Sequence, residues 1–417
     1  MSLPKVVLVV CDGMGDLPNP AFNGKTPLQV AKKPNIDRLA SEGICGLLHS
    51  VGGGRVPGSD TSHLALFGYP PDRYYTGRGT FEALGAGLNL ERGDVAFRCN
   101  FATVEKEGEK LIVKDRRAGR IGDEDAKQLA KVIDGLEIDG VKVIFKHTVE
   151  HRAALVLRGK GLSWKVSDVD PHDAVGVPIL TAKPLDETPE AKKTAAVLNA
   201  LALKSYELLS KHKINVERAK KGEPQANIVL PRGPGIYENV QSVQERFGIR
   251  AACIAGGALY KGVAKYVGMD VHEVEGATGK VNTDVMAKGR AALAALKEGY
   301  DYVFIHVKGT DNCGHDGKFE EKVKMIEKID GMIGLLLENA GKDVYIALTA
   351  DHTTSCIKKR HSSEPTPFAL WGPGVRVDDV KKFDEFECAK GGLGHLQGID
   401  VMPMFVDLMD KAHVYGS

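Results

Sequence analysis

Three runs of apolar and β-branched residues punctuate the chain, and each breaks into a loop that carries a carboxylate. Residues 5–10 (KVVLVV) lead into Cys11, Asp12 and Gly13. Residues 302–307 (YVFIHV) lead into KGTDNCGH, with Asp311 and His315, and residues 344–349 (VYIALT) lead into Ala350, Asp351 and His352, with His361 a short loop further on. Runs without polar alternation suit parallel strands buried on both faces. In an open α/β sheet the crevice beyond the carboxyl ends of such strands is where ligands bind, so these side chains are predicted to converge there.

Between the strands the periodicity predicts helices over 27–42 (stopped by Gly43), 189–221 and 318–340, the last with Val323, Ile326, Ile333 and Leu337 on one apolar face. NIVLPRGPG (227–235) reads as a strand and loop on the return to the core. RAACIAGGALYKGVAKYVGM reads as a strand running into a helix that holds Lys261, and the C-terminal GGLGHLQGIDVMPMFVDLMDK as a glycine loop, with His395 a reserve ligand, followed by a helix. From about residue 87 to 159 the texture changes to period-two alternation, as in an antiparallel sheet. The expected fold is therefore α/β, with a mainly parallel core over 1–86 and 222–417 and a smaller α+β domain inserted over 87–221.

The chain has 417 residues, 43% hydrophobic and 27% charged, with a formal charge of +1. That balance gives no field for nucleic acid or an anionic membrane, and no run of about 18 apolar residues or leader pattern is present, so a cytoplasmic location is expected. The seven cysteines are scattered without a CxxC pair and read as reduced, buried filler, including Cys11, Cys313 and Cys356 beside the candidate ligands.

Two segments add chemistry. Residues 51–69 (VGGGRVPGSDTSHLALFGY) place glycines before Ser59, Asp60, Thr61, Ser62 and His63 at a predicted helix start, where backbone amides favour an anion. Ser59 stands where a P-loop needs lysine, which argues against nucleotide binding by that route. The insert carries Arg98, Asp115, Arg116, Arg117, Arg120, His151, Arg152, Asp170 and His172, a density of groups suited to gripping phosphate or carboxylate.

Asp12, Asp311, Asp351, His315, His352, His361 and Ser59 form a set suited to two divalent cations. Two dications bring four positive charges, and three carboxylates with a serine alkoxide bring four negative, so a phosphate substrate meets no net repulsion. A metal would also acidify the serine and activate it as a nucleophile.

VLVVCDGMGD, PGSDTSHLALFGY, HVKGTDNCGHDG, LTADHTT and RHSSEPTPF, with FRCNFATV and DRRAGR in the insert, resemble the archaeal-type 2,3-bisphosphoglycerate-independent phosphoglycerate mutases of the alkaline phosphatase superfamily. The resemblance spans nearly the whole chain. It implies an alkaline-phosphatase-like three-layer α/β/α core with two Mn²⁺, Co²⁺, Zn²⁺ or Mg²⁺ ions and no 2,3-bisphosphoglycerate. By matching motif, Asp12, Ser59, Asp351 and His352 would hold one metal, and Asp311, His315 and His361 the other. Ser59 would take the phosphoryl group from 3-phosphoglycerate and return it to the 2-hydroxyl. Lys261 and Arg232 would face the phosphoryl group from the core side, and Arg98, Asp115, Arg116, Arg117, His151, Arg152, Asp170 and His172 would hold the glycerate and help exclude water. The alternative is a metal-dependent phosphomonoesterase or another phosphotransferase of the same superfamily. A second hydroxyl, on Thr61 or Ser62, is a competing nucleophile.

Overall fold

The computed structural model describes residues 3–172, 174–414 and 416. The chain falls into two compact units, one of residues 1–75 with 240–417 and one of residues 76–239. In chain order the strands are β1 (Lys5–Cys11) and β2 (Ile44–His49), then β3 (Val95–Glu107), β4 (Lys110–Asp115), β5 (Glu137–Ile138), β6 (Val141–Val149), β7 (Arg152–Arg158) and β8 (Ile228–Ile236), then β9 (Ala251–Ile254), β10 (Asp270–Val271), β11 (Tyr302–Val307), β12 (Val344–Thr349), β13 (Thr353–Ser355), β14 (Arg360–Ser362), β15 (Thr366–Trp371) and β16 (Gly394–Gln397).

The first unit is built on an eight-stranded sheet in the order β10-β9-β11-β1-β12-β15-β2-β16, in which β15 alone runs against the rest. One face of β1, with Val7, Val9 and Cys11, packs against helices Pro34–Ser41, Val285–Lys297 and Phe319–Asn339 through Ile36, Leu39, Ala292, Ile326, Ile329 and Ile333. On the other face Phe304 packs against Phe67 and His63, and Tyr302 against Phe405. The sheet is thus covered on both sides, which explains why β1, β11 and β12 read as unbroken apolar runs. The three-layer core expected from the sequence is present.

Register places the chemistry. β1 lies between β11 and β12, with Cys11 opposite Val307 and Val10 opposite Thr349. The loops that follow all three strands therefore leave the sheet at one level.

The second unit holds a six-stranded antiparallel sheet, β4-β3-β7-β6-β5 with β8 also paired to β3. Its core includes Phe97, Phe101, Leu155, Leu198, Leu201, Ile228 and Leu230. β8 is a correction to the sequence reading. The 227–235 segment, expected on the core side, is drawn into this sheet because Ile228, Val229 and Leu230 bury against β3 and the Pro189–Ser210 helix, with Arg98 opposite Arg232. Two predicted helices are also split. Pro34 interrupts 27–42 into Pro27–Val30 and Pro34–Ser41, because proline disfavours a helical conformation in the residue before it. His212 caps a new helix, Lys213–Lys220, after Pro189–Ser210.

Lys288 is fully buried in the Val285–Lys297 helix, and its Nζ donates to the carbonyl of His306 at 2.8 Å. Burial lowers its pKa to about 8 against the partial opposition of Cys11 and Cys253. Between that value and the ordinary 10.5 the folded chain binds fewer protons than the unfolded one, so this residue's contribution to unfolding free energy rises with pH. Denaturant titrations of wild type and Lys288→Met are expected to show the wild type gaining relative stability as pH rises from 8 to 10.5. A difference independent of pH would contradict this account.

Candidate metal centre and active site

Asp12 follows β1 directly, Asp311 lies in the first turn of the Gly309–Asp316 helix after β11, and Asp351 and His352 follow β12. His361 is on β14, the hairpin partner of β13. Ser59 is the first residue of the Ser59–Leu66 helix. The extended residue Gly58 is the N-cap, so Ser59 Oγ is not consumed in capping and points at His352 Nε2, 3.1 Å away.

The side chains form two groups that share His352. Asp12, Asp351 and His352 each offer a ligand atom within 4.8 Å of one another, as do Asp311, His352 and His361. In the first, His352 Nε2 lies 3.3 Å from Asp12 Oδ1 and 3.2 Å from Asp351 Oδ2. Beside the second, and outside that group, His315 Nε2 lies 3.3 Å from Asp311 Oδ1 and 3.2 Å from His361 Nε2. His361 Nδ1 donates to the carbonyl of Pro57, and His315 Nδ1 to that of Lys359, so both Nε2 atoms face Asp311, as donors to it when protonated and as ligand atoms once the proton is lost. A cavity of about 550 Å³ opens onto His315 and His361 and is lined also by Lys358 and Arg360.

Thr354 fixes the shared histidine. Its hydroxyl donates to Asp311 Oδ1 at 2.8 Å and lies 3.1 Å from His352 Nδ1. The single hydroxyl proton is spent on the carboxylate, so Thr354 accepts from Nδ1–H, and Nε2 is left to face Ser59 and the carboxylates. Gly13 makes room for this arrangement: its φ is +60°, and a Cβ there would stand 2.3 Å from Thr354 Oγ1 and 2.9 Å from Asp311 Oδ1.

Asp12 Oδ1 and Asp351 Oδ2 are buried and have no hydrogen-bond donor among the described residues. Burial and mutual repulsion work against ionisation of Asp12, and burial against that of Asp311 and Asp351. Even so, Lys308 and His306 hold Asp12 low, His315, His361 and Lys308 hold Asp311 low, and His352, His63 and His306 hold Asp351 low. Burial opposes charge on His352 too, but Asp351, Asp12 and Asp311 push its pKa up to about 9. Unpartnered carboxylate oxygens around an imidazole nitrogen are a donor set able to hold a divalent cation.

The competing hydroxyls are engaged elsewhere. Ser62 Oγ is 3.0 Å from Ser50 Oγ, and Thr61 Oγ1 donates to the carbonyl of Gly58. His395 lies on β16, 2.9 Å from His49, and joins neither metal group. Lys261 is ion-paired to Glu273 at 2.6 Å.

In the second unit Arg116, nearly buried, forms a two-pronged pair with Asp170 at 2.8 and 2.7 Å, and Arg232 Nε lies 3.6 Å from the same carboxylate. Arg232 therefore belongs to this cluster rather than to the core side. Burial lowers the pKa of Arg98 to about 10; Glu82 opposes the shift, and the nearby Arg78, Arg232 and Arg152 charges add to it. His151 lies near Arg152, Arg117 and Arg120, and burial, then Arg152, bring its pKa down to about 4, so it is neutral at pH 7. Asp115 turns inward on its own loop, accepting from the amides of Arg117 and Gly119, and His172 pairs with Asp168 at 2.8 Å. The His172 amide also donates to Asp170 Oδ1 at 3.0 Å, so His172 borders the arginine cluster, whereas Asp115 makes contacts within its own loop.

Sequence reasoning missed Thr354, Lys308, Tyr260, His306 and Arg78. Lys308 carries a readable signal, since it is the first residue past β11 in the HVKGTD segment. Tyr260, on the Ala258–Tyr266 helix, reads as ordinary core, yet its hydroxyl donates to Asp12 Oδ2 and its ring stacks on His306.

A buried serine beside two groups of oxygen and nitrogen donors, at the carboxyl ends of a mainly parallel sheet, makes a candidate metal-binding ligand crevice. Comparison with known proteins gives the family. A family model described as 2,3-bisphosphoglycerate-independent phosphoglycerate mutase matches residues 40–215. The chain is 52% identical to 2,3-bisphosphoglycerate-independent phosphoglycerate mutase 1 of Methanocaldococcus jannaschii, covering 100% of both chains. It is 47% identical to the protein of the same name from Methanothermobacter thermautotrophicus, over 99% of this chain and all of that one. Among solved structures, a Pyrococcus horikoshii protein aligns over both full chains with TM-score 0.86 and 39% identity. A cofactor-independent phosphoglycerate mutase from Thermoplasma acidophilum aligns over 98% of this chain and all of its own, with TM-score 0.72 and 35% identity. The chain belongs to the 2,3-bisphosphoglycerate-independent phosphoglycerate mutases.

Thr354→Val keeps the shape of the side chain and removes the hydroxyl between Asp311 and His352. Mn²⁺ titration calorimetry is expected to show affinity weakened by about 10- to 100-fold, as for other groups that orient metal ligands. Unchanged affinity would remove Thr354 from the account.

Proposed function

We propose that the chain interconverts 3-phosphoglycerate and 2-phosphoglycerate without added 2,3-bisphosphoglycerate, through a phosphorylated Ser59. The observation that carries this reading is the approach of Ser59 Oγ to His352 Nε2, at 3.1 Å, where the two metal groups meet. Family membership supports the reaction class, an isomerase acting by intramolecular phosphoryl transfer, over the phosphomonoesterase alternative.

Asp12, Asp351 and His352, with Ser59, would hold one divalent ion, and Asp311, His315 and His361 the other. When bound, such ions supply Lewis-acid charge for the phosphoryl oxygens and lower the pKa of the serine hydroxyl. The protein's own groups do the rest. Ser59 Oγ forms a bond to phosphorus as the bond to the 3-oxygen of glycerate breaks; in the second transfer the 2-oxygen attacks and Ser59 leaves. The partial positive charge at the start of the Ser59–Leu66 helix favours the anionic serine and its phosphate. Thr354 accepts from His352 Nδ1–H and so orients the ring, with Nε2 the nitrogen that would give up its proton to a metal.

The substrate carboxylate needs a separate anion site, and the arginine cluster of the second unit offers one. Arg98, Arg116, Arg152 and Arg232, with neutral His151 as a hydrogen-bonding partner, would receive the glycerate, while Asp170 holds the Arg116 fork in place. Arg117, Asp115 and His172 would act at the edge of this site. Lys261 is assigned to phosphate contact in the first unit, exchanging its exposed partner Glu273 for substrate. Among the described residues no helix is long and apolar enough to cross a membrane; the enzyme would act on its small phosphate substrate in the cytoplasm.

Metal-loaded protein is expected to convert 3-phosphoglycerate to 2-phosphoglycerate with little free phosphate, and to lose this activity on chelation. Ser59→Ala should abolish turnover and leave metal binding measurable. Release of inorganic phosphate without isomer would overturn the mutase reading. Asp170→Asn, which frees Arg116 to swing away, should raise KM for 3-phosphoglycerate by about tenfold with Mn²⁺ affinity unchanged. An unaltered KM would argue against a substrate-binding role for this cluster.

A further inference from the structure

Lys308 stands at the mouth of the site, between β11 and the Gly309–Asp316 helix, with its side chain about a quarter exposed. Its Nζ lies 3.1 Å from Asp12 Oδ2, 2.7 Å from Asp311 Oδ2 and 2.9 Å from the Tyr260 hydroxyl. An ammonium has three protons, and here each has one acceptor. The two carboxylates come from different metal groups, Asp12 from one and Asp311 from the other. Lys308 is thus a covalently tethered cation spanning both.

The division of oxygens is the informative detail. On Asp12, Oδ2 takes Lys308 and Tyr260, whereas Oδ1 has no donor and faces His352 Nε2 at 3.3 Å. On Asp311, Oδ2 takes Lys308, whereas Oδ1 faces Thr354, His315 and His361. Each carboxylate is split into an oxygen held by lysine and an oxygen offered to its metal group. A carboxylate free to rotate could give both oxygens to one ion; these two are held to one each.

Charge changes as well. The sequence-based sum of two dications, three carboxylates and a serine alkoxide is neutral. Lys308 adds one positive charge at hydrogen-bond distance from two of the ligands. The completed site then attracts a phosphate dianion, and the same charge repels the metal ions it sits beside.

We propose that Lys308 is a positioning residue that ties the far oxygens of Asp12 and Asp311 together, limiting each carboxylate to one-oxygen metal ligation and trading grip on free divalent cation for attraction to the phosphoryl group. This rests on the two-metal reading above. It makes an unusual prediction: removing the charge strengthens metal binding and weakens catalysis. A residue needed only for the fold would weaken both.

The test is Mn²⁺ titration calorimetry on the full-length wild type and on Lys308→Met, Lys308→Gln and Lys308→Arg, with thermal unfolding in chelator to establish folding. The two neutral variants are expected to bind Mn²⁺ at least about threefold more tightly, and Lys308→Arg, which keeps the charge, to bind like wild type. In the mutase assay at saturating Mn²⁺ the neutral variants should lose at least about tenfold in kcat and show a raised KM, with partial rescue by arginine. Neutral variants that bind Mn²⁺ as wild type does, or more weakly, overturn the proposal. So does a failure of both neutral variants to fold, because the ammonium would then be a structural group. Absence of Mn²⁺ binding by wild type would instead refute the metal reading itself, so the two failures are distinguishable.

Discussion

Asp12, Asp311 and Asp351 are buried together at one end of a sheet, and the rest of the structure answers to that crowding. Like charges in a low-dielectric crevice repel strongly, and each loses hydration on burial. The protein surrounds them with His352, His306, Lys308 and the His315–His361 pair, yet still leaves Asp12 Oδ1 and Asp351 Oδ2 without donors. Such oxygens, grouped with imidazole nitrogens, are suited to hold divalent cations. The sheet tolerates the crowding because β1, β11 and β12 are packed on both faces and fixed in register, so the strain cannot be relieved by letting one strand slip.

From this constraint follow the residues that no catalytic step uses directly. Gly13 is a glycine because a side chain would collide with Thr354 and Asp311. Lys322, fully buried, donates to Asp16 and to the carbonyls of Gly15 and Thr354, each within 2.9 Å, and so pins the β13 hairpin to the loop after β1. Replacing it with a shorter or neutral group would leave Asp16 as a buried charge without its cation, a far greater cost than the loss of a surface pair. The second unit repeats the logic with the signs reversed: arginines crowd around Arg98, and Asp170 is the buried counter-charge that holds Arg116 and Arg232.

Much of the first unit was legible in the sequence because burial on both faces writes itself as unbroken apolar runs, and the residues just past those runs are the ones the crevice exposes. Asp12, Asp311, Asp351, His352, His315 and His361 follow from that rule, and Ser59 from its place at a helix start. What was not legible depends on partners distant in the chain. Thr354 is an unremarkable threonine until the hairpin brings it between Asp311 and His352. Tyr260 looks like core because its ring is core, and only its hydroxyl reaches Asp12. β8 reads as a strand of either unit, since an apolar triplet does not say which sheet it joins. Asp115 and His172 share the composition of a binding cluster, but their hydrogen bonds, from Arg117 and Gly119 to Asp115 and between His172 and Asp168 and Asp170, appear only once the loops fold.

The central claim is that Ser59, and neither of its neighbours Thr61 and Ser62, carries the phosphoryl group between the two hydroxyls of glycerate. The direct measurement is peptide mass spectrometry of metal-loaded protein quenched in acid during turnover of 3-phosphoglycerate. The account predicts one phosphate on the peptide containing residues 59–62, located by fragmentation on Ser59 and absent when the metal is chelated. Isomerase activity with phosphate on Ser62 or Thr61, or with an unmodified peptide at every stage of turnover, would contradict it.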